Sequence, residues 1–281
     1  MPLTAILAAT DFSRGSDHAV QRACHLATEH DAALAVLHIV ALAKGSEHAW
    51  LPPELTLPRE NVAELQGQLR ERISTLCPGT PPVQTTVRQG RPCELITAAA
   101  DQSDLIVVGA HGSHRWMDGL IGSTAERVVQ RARQPVLVVR RPPQGIYRRV
   151  VIATDFSPHS ARAVAAAAQL APQAELHLLH VHHAWHTQQA TVSEGALHTL
   201  EQAAQAPLQT LLERAGVNAA RVRLHLRFGH PAAEITAFAA TLDADVVAGG
   251  TRGYSHAAGV LLGSTSASLL RGTESDMLLC P

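Results

Sequence analysis

Two stretches of the chain carry the same spacing of glycines: GAHGSHRWMDGLIGST at residues 109–124 and GTRGYSHAAGVLLGST at residues 250–265. Each consists of a glycine, two residues, a glycine, nine residues, and then Gly-Ser-Thr. Glycine lets backbone amides approach an anion closely, and serine and threonine at the start of a helix add hydroxyl donors. A pair of tight turns would explain the glycines, but not the Gly-Ser-Thr that opens a helix both times. The pattern therefore predicts a phosphate-binding glycine loop in each half of the chain.

A second motif repeats at nearly the same interval, since TDFS at residues 10–13 recurs at residues 154–157. A repeat of about 140 residues has the size of a domain, whereas solenoid repeats run to about 20–50 residues. A linker, Arg140-Arg141-Pro142-Pro143-Gln144-Gly145, separates the two halves. We therefore predict a duplicated domain, with one copy at residues 1–142 and the other at 147–281.

The composition excludes several classes of protein. The 281 residues carry a net charge of −1, so no global field attracts nucleic acid or an anionic membrane. Lys44 is the only lysine, which excludes a P-loop, because that motif needs a lysine beside the phosphates. No run reaches the roughly 18 apolar residues of a membrane span.

The four cysteines form no CxxC pair, and Asp11 and Arg14 follow too short an apolar run for a signal peptide. We therefore expect a cytoplasmic, reducing location without disulfides. Cys24 is expected in the core of a helix and Cys280 at the end of the last strand, and neither is expected to be a nucleophile.

Continuously apolar runs such as LIVVGA and PVLVVR are typical of parallel strands covered on both faces. Their alternation with helical patterns predicts two doubly wound, Rossmann-like α/β domains, each with a five-stranded parallel sheet. The strands are predicted at 3–9, 32–40, 83–88, 104–109 and 135–140, and at 148–154, 174–182, 221–227, 244–249 and 275–280. The helices are predicted at 15–29, 59–75, 92–101 and 123–132, and at 158–171, 192–215, 231–242 and 263–271. With strand order 3-2-1-4-5, the ligand crevice lies between the carboxyl ends of strands 1 and 4.

Asp11 and Asp155 follow the first strand of each half. They cap the next helix, or they place a carboxylate at the crevice to accept hydrogen bonds from a base or ribose, and both roles remain open. In the glycine loops, His111, His114 and Arg115, and Arg252 and His256, either add positive charge or are solvated. The binding residues that the motifs predict are Asp11, Gly109, Gly112, Gly122, Ser123 and Thr124 in the first half, and Asp155, Gly250, Gly253, Gly263, Ser264 and Thr265 in the second.

A run of histidines, HLLHVHHAWH, contains His177, His180, His182, His183 and His186. A zinc site needs converging ligands with further support around them, and no cysteine or carboxylate spacing supplies it here. We therefore expect histidines at the surface or rim of the sheet rather than a metal site.

At these residues the chain resembles the universal stress protein family, and specifically its tandem members. Both glycine loops match the family pattern Gly-x2-Gly-x9-Gly-[Ser/Thr], and the aspartate after the first strand matches too. The resemblance implies a fold related to the adenine-nucleotide α-hydrolases, with ATP, accompanied by Mg²⁺, as ligand. It also implies that the residue ending strand 2 meets the adenine, which is Val40 in the first half and His182 in the second.

The second half departs from the family pattern. Its Ser-Thr is followed by Ser266-Ala267-Ser268, where the first half has the commoner Ala125-Glu126-Arg127, and it ends in SDMLLCP. The resemblance therefore implies that the first domain is the safer nucleotide site. Family members also pair through their last strands, which implies a pseudo-two-fold pair of domains within one chain and allows a further homodimer.

The favoured function is a stress-response regulator that binds adenine nucleotide and acts through a protein partner, and not a fast enzyme. One alternative is slow ATP hydrolysis, for which Asp11 and His111 are the only candidate bases. Another is a scaffold without nucleotide, or a binder of another small ligand, in at least one half.

Overall fold

The computed structural model describes residues 2–41, 59–80, 82–112, 121–182, 194–253 and 262–281. It divides into two compact units, residues 1–146 and 147–281. Both units are built from parallel strands that alternate with helices. None of the helices within the described ranges is long and apolar enough to cross a membrane.

The first unit has a five-stranded parallel sheet in the order β3-β2-β1-β4-β5, which confirms the predicted 3-2-1-4-5 order. Its strands are β1 (Ala5–Thr10), β2 (Ala33–Ala41), β3 (Gln84–Gly90), β4 (Leu105–Gly109) and β5 (Val136–Val139). Its helices are α1 (Arg14–His30), α2 (Arg59–Leu76), α3 (Pro92–Ala99) and α4 (Ser123–Arg131).

The second unit repeats this arrangement, with the strand order β8-β7-β6-β9-β10. Its strands are β6 (Arg149–Ala153), β7 (Glu175–His182), β8 (Val222–Phe228), β9 (Val246–Gly250) and β10 (Asp276–Cys280). Its helices are α5 (Pro158–Leu170), α6 (Glu194–Ala215), α7 (Pro231–Leu242) and α8 (Ser264–Gly272).

The cores consist of aliphatic side chains from both faces of each sheet. All four residues of β5 are buried, as expected for a parallel strand with helices on both sides. Helix α1 packs on the sheet through small residues such as Ala19, Ala23 and Ala27, which are fully buried. This close packing of small side chains is how a chain with few aromatic residues fills two cores.

The expectation of a chain without disulfides is wrong. Cys24 in α1 and Cys77, which follows α2, form a disulfide with their Cα atoms 5.9 Å apart. The two cysteines are 53 residues apart in sequence, and only the packing of α2 beside α1 brings them together. Cys93 and Cys280 are buried free thiols, and burial raises the pKa of Cys93 and raises that of Cys280 to about 12. Both stay protonated at neutral pH and are poor nucleophiles.

Candidate functional site

The TDFS segment forms a sharp turn between β1 and α1. Phe12 adopts a left-handed conformation with φ 62°, and its amide donates to Oγ1 of Thr10 at 3.1 Å. Ser13 caps α1 by accepting a hydrogen bond from the amide of Ser16 at 3.2 Å. The amide and hydroxyl of Ser13 both donate to Oδ1 of Asp11. Ser13, and not Asp11, is therefore the helix cap, and Asp11 supports the turn with one oxygen.

The other carboxylate oxygen of Asp11 faces the first glycine loop. A Cβ atom added at Gly112 would lie 2.6 Å from Oδ2 of Asp11, which is closer than real Cβ contacts allow. Gly112 is therefore small because the carboxylate occupies the space of its side chain. The structure brings these two predicted residues into direct contact.

The glycine that ends β4, Gly109, allows this strand to pack closely against α1. A Cβ atom at Gly109 would lie 2.7 Å from the carbonyl group of Gly15 and 2.9 Å from the amide nitrogen of Ser16. The backbone at the end of β4 thus contacts the backbone of the first turn of α1. This contact sets the glycine loop directly beside the TDFS turn.

The start of α4 lies beside the same glycine loop. The amide of Gly122 donates to the carbonyl oxygen of Ala110 at 2.8 Å, which brings the end of the loop back to its beginning. A Cβ atom at Gly122 would lie 3.5 Å from that carbonyl oxygen and 3.7 Å from the amide nitrogen of Gly112, both ordinary contacts. Ser123 and Thr124 follow at the exposed first turn of α4. Free backbone amides and hydroxyls at a helix start attract anions.

Strand β2 borders the same edge of the sheet. His38 is paired in register with Thr10, and its Nδ1 lies 2.9 Å from the Thr10 carbonyl oxygen. The rings of His38 and Phe12 are 4.2 Å apart between centroids. Val40 follows two residues later and is half-buried. It lies at the same carboxyl edge as the TDFS turn.

Arg140, which follows β5, places a positive charge near the first glycine loop. The neighbouring Val139 accepts a hydrogen bond from the Ala110 amide at 2.8 Å. Burial and the charge of Arg140 lower the pKa of His111, so its imidazole is neutral at neutral pH. From its sequence, Arg140 was expected in the linker. Its position immediately after the strand next to β4 was the available signal.

The second unit repeats the core of this arrangement. Phe156 has φ 61°, and Ser157 caps α5 by accepting from the Ser160 amide at 3.2 Å. A Cβ atom at Gly253 would lie 2.6 Å from Oδ2 of Asp155, the same distance as in the first unit. Ser160 donates to Oδ1 of Asp155 at 2.6 Å. Ser16 and Ser160 stand at equivalent positions, and this repetition was a signal that sequence analysis did not use.

The remaining predicted residues of the second unit also lie at this edge. The amide of Gly263 donates to the Thr251 carbonyl oxygen at 2.8 Å, as Gly122 does to Ala110. A Cβ atom at Gly250 would lie 2.9 Å from the carbonyl oxygen of Arg252, whose side chain is exposed. Ser264 and Thr265 open α8.

Two contacts near the predicted site of the second unit have no equivalent in the first. Ser266 donates to the carbonyl oxygen of Gly250 at 2.7 Å, and the equivalent residue in the first unit is Ala125. His182 stacks on Phe228 with centroids 5.4 Å apart, where the first unit has Val40 beside Gln89. Burial and the nearby His180 lower the pKa of His182. The end of β7 therefore stacks a histidine on a phenylalanine, where the end of β2 has a valine beside a glutamine.

The expectation of surface or rim histidines is wrong for His177, which is only 3% exposed. Its Nδ1 lies 3.0 Å from Nε2 of His225 on the neighbouring strand, and Phe238 of α7 packs against both rings. Burial is the main cause that lowers the pKa of each of the two histidines. Among the described residues no group of three His, Cys, Asp or Glu is placed to hold a metal ion. The predicted residues His114, Arg115, His183, His186 and His256 lie outside the described residues.

Fold and geometry together define a tandem α/β protein in which the glycines of each loop meet the TDFS turn at the carboxyl edge of the sheet. The model of the universal stress protein family matches the chain twice, at residues 3–140 and 146–281. The chain therefore belongs to the universal stress protein family and carries two such domains.

Individual relatives agree with this assignment. Universal stress protein A homolog 1 of Coxiella burnetii is 32% identical over 139 residues, which are 48% of this chain and 94% of that protein. A universal stress protein of Methanocaldococcus jannaschii is 30% identical over 148 residues, 49% of this chain and 82% of that protein. The crystal structure of a universal stress protein from Archaeoglobus fulgidus has the same fold, with a TM-score of 0.71 at 22% identity over 98% of this chain and 97% of that one.

Proposed function

We propose that the first unit binds an adenine nucleotide, with ATP as the primary ligand, in the cleft formed by Asp11, Gly112 and Gly122. The observation that carries the proposal is the contact series from the Asp11 carboxylate through Gly112 to the start of α4. It sets a hydrogen-bond acceptor for a ribose beside a helix start suited to phosphates. Without a lysine, the backbone amides, Ser123 and Thr124 would hold the phosphates, and Mg²⁺ would accompany them.

The same groups favour binding and regulation over fast hydrolysis. Oδ1 of Asp11 accepts hydrogen bonds from Ser13 and so is committed to the turn. The lowered pKa of His111 makes its imidazole a weaker base than an ordinary histidine. A regulator of this kind acts through a protein partner that distinguishes the bound from the empty state. That partner, a cytoplasmic location and the pairing of the two domains stay predictions.

Gly122→Ala tests the site without disturbing the fold. Gly122 has φ −65°, which alanine adopts freely, and the added Cβ makes only ordinary contacts within the protein. The methyl group instead fills the place where a phosphate meets the start of α4. We expect calorimetric titration with Mg-ATP to show the first site weakened by about tenfold or more, a loss of about 1.4 kcal/mol.

Gly67→Ala is the matched control, since a Cβ at this exposed position in α2 meets no atom within 4 Å. It should leave Mg-ATP affinity unchanged. Equal affinity for wild type and Gly122→Ala would refute the assignment of the site, and the absence of saturable binding in wild type would refute the function.

For the second unit we propose a weaker nucleotide site or a site for another small ligand. The His182–Phe228 stack and the Ser266–Gly250 hydrogen bond support this, because the first unit has neither. In Gly122→Ala the first site is weakened, so Mg-ATP titration of this variant reports mainly on the second site. A residual site as tight as the first would contradict the proposal.

A further inference from the structure

The disulfide between Cys24 and Cys77 is confined to one of the two domains. Cys24 is 2% exposed and Cys77 is 8% exposed. The second unit has Ala168 at the position equivalent to Cys24. The bond ties the end of α2 to α1, and α1 begins at the TDFS turn. The molecule thus contains one cross-linked domain and one natural control without the cross-link.

A single arginine links α2 to the TDFS turn. Nε and Nη2 of Arg72 donate to the two carboxylate oxygens of Asp17 at 2.7 and 2.6 Å. Nη2 of Arg72 also donates to the carbonyl oxygen of Phe12 at 2.9 Å, and the guanidinium lies 5.8 Å from the Phe12 ring centroid. A bidentate pair of this kind fixes direction as well as distance. The second unit has Ala161 at the position equivalent to Asp17, so this ion pair has no counterpart there.

Phe12 is a sensitive place for such a contact. It is the residue next to Asp11 and holds a left-handed backbone conformation that is uncommon for a non-glycine residue and that Phe156 also holds in the second unit. Beside this contact lies a surface pocket of about 510 Å³, lined by Phe12, Gln68, Glu71, Arg72, Thr75 and Leu76. Helix α2 packs on the core through Leu69 and Ile73, which are buried, and Arg72 is its polar link to the turn.

We propose that the Cys24–Cys77 pair is a thiol–disulfide exchange site that sets the affinity of the first nucleotide site; this rests on the proposed function of that site. With the disulfide formed, α2 is tied to α1 and Arg72 holds the TDFS turn in its binding conformation. With the disulfide reduced, the end of α2 is released from α1, and the hold of Arg72 on Phe12 and Asp17 weakens.

The exchange is a two-electron reaction with a dithiol. A thiolate of the dithiol attacks Sγ of Cys77, the more exposed cysteine, and the Sγ–Sγ bond breaks. Cys24 leaves as a thiolate and takes up a proton. The second thiolate of the dithiol then attacks the dithiol sulfur that is bonded to Sγ of Cys77. Cys77 leaves as a thiolate and is protonated in turn. The dithiol is oxidised to a disulfide, and a low-molecular-weight disulfide such as oxidised glutathione drives the reverse reaction.

The test compares Mg-ATP binding by the full chain before and after reduction with dithiothreitol. Thiol titration under denaturing conditions should count two free cysteines before reduction and four after it. We expect affinity at the first site to fall by about fivefold or more on reduction and to recover on reoxidation with oxidised glutathione. Equal affinity in the two states would overturn the proposal.

Two variants distinguish an effect of the disulfide that acts through Arg72 from a general loosening of the domain. Cys24→Ala introduces the residue of the second unit and should show the reduced-state affinity regardless of redox conditions. Asp17→Asn keeps the disulfide but weakens the grip of Arg72, so it should lower affinity in the oxidised state and shrink the response to reduction. A full redox response in Asp17→Asn would exclude Arg72 as the link.

Hydrogen exchange without nucleotide keeps this test independent of the proposed function. Reduction should speed amide exchange at residues 10–17, while the equivalent residues 154–161 of the second unit should not change. If Mg-ATP does not bind in either state, the proposed function fails, and the exchange data still decide whether the disulfide controls the turn. Unchanged exchange at residues 10–17 would overturn the link itself.

Discussion

Oδ2 of Asp11 occupies the space in which a side chain at Gly112 would begin, 2.6 Å from the Cβ position. Asp155 and Gly253 stand in the same relationship at the same distance. The contact occurs in both domains, and it explains why each loop has a glycine three residues after its first glycine. The glycine leaves room for the carboxylate, and the carboxylate marks the boundary of the proposed binding site.

Gly112→Ala should therefore damage the site more than it damages the fold. The new methyl group must push the Asp11 carboxylate aside, because the two cannot share the space. We expect the affinity of the first site for Mg-ATP to fall by about tenfold or more, or about 1.4 kcal/mol. Calorimetric titration measures this, and circular dichroism checks that the fold is intact. Wild-type affinity in a folded Gly112→Ala would show that Asp11 takes no part in binding.

Gly67→Ala should stabilise the first unit. Gly67 lies within α2, and glycine in a helix interior costs about 0.5–1 kcal/mol relative to alanine. Since the added Cβ meets no atom within 4 Å, nothing offsets that gain. Urea unfolding should show a higher midpoint with an unchanged slope. A lower midpoint would show that α2 is not a regular helix at this position.

Ser266→Ala should weaken the second unit at its glycine loop. It removes the hydrogen bond from Ser266 to the Gly250 carbonyl oxygen, which is worth about 1 kcal/mol. Ser268→Ala in the same helix is the matched control, because both substitutions gain the same helix propensity. Ser266→Ala should be less stable than Ser268→Ala in urea unfolding. Equal stability of the two variants would contradict a structural role for this bond.

The second unit should lose stability in mild acid. The pKa values of His177 and His225 are lowered in the folded state, mainly by burial, so the folded chain holds both rings neutral. As the pH falls below about 6.5, the unfolded chain takes up protons that the folded chain does not, and the free energy of unfolding decreases. Glu175 favours protonation of His177, whereas Arg223 opposes it at both rings and Arg227 at His225.

The measurement is the melting temperature between about pH 7.5 and about pH 5.5. The double variant His177→Ala, His225→Thr carries the residues found at the equivalent positions of the first unit, Ala35 and Thr86. It loses packing against Phe238, so its absolute stability falls, but its melting temperature should depend less on pH. An equally steep dependence in the double variant would locate the pH sensitivity elsewhere.

Sequence alone predicted the architecture because the deciding features repeat and are local. Apolar runs such as that of β5 identified buried parallel strands, and the glycine loops follow the strand next to the first strand in each unit, as the predicted strand order requires. The contact between Asp11 and Gly112 was within reach for the same reason, since both residues follow the carboxyl ends of neighbouring strands, β1 and β4.

The errors concern contacts between distant elements. Cys24 and Cys77 are 53 residues apart, and the residues Arg72 and Asp17 are 55 apart. No local pattern encodes either pair, because both depend on how α2 lies on α1. The burial of His177 was missed for a related reason, since a histidine in a strand looks polar until its partner on the next strand is known. That partner, His225, follows 48 residues later.

The most direct test of the central claim is mass spectrometry of the small molecules that the purified chain releases on denaturation, quantified per chain and repeated after loading with Mg-ATP. The account predicts at least one equivalent of adenine nucleotide per chain for wild type, and a loss of one equivalent in Gly122→Ala under the same conditions. A wild-type chain that releases no nucleotide before or after loading would contradict the account.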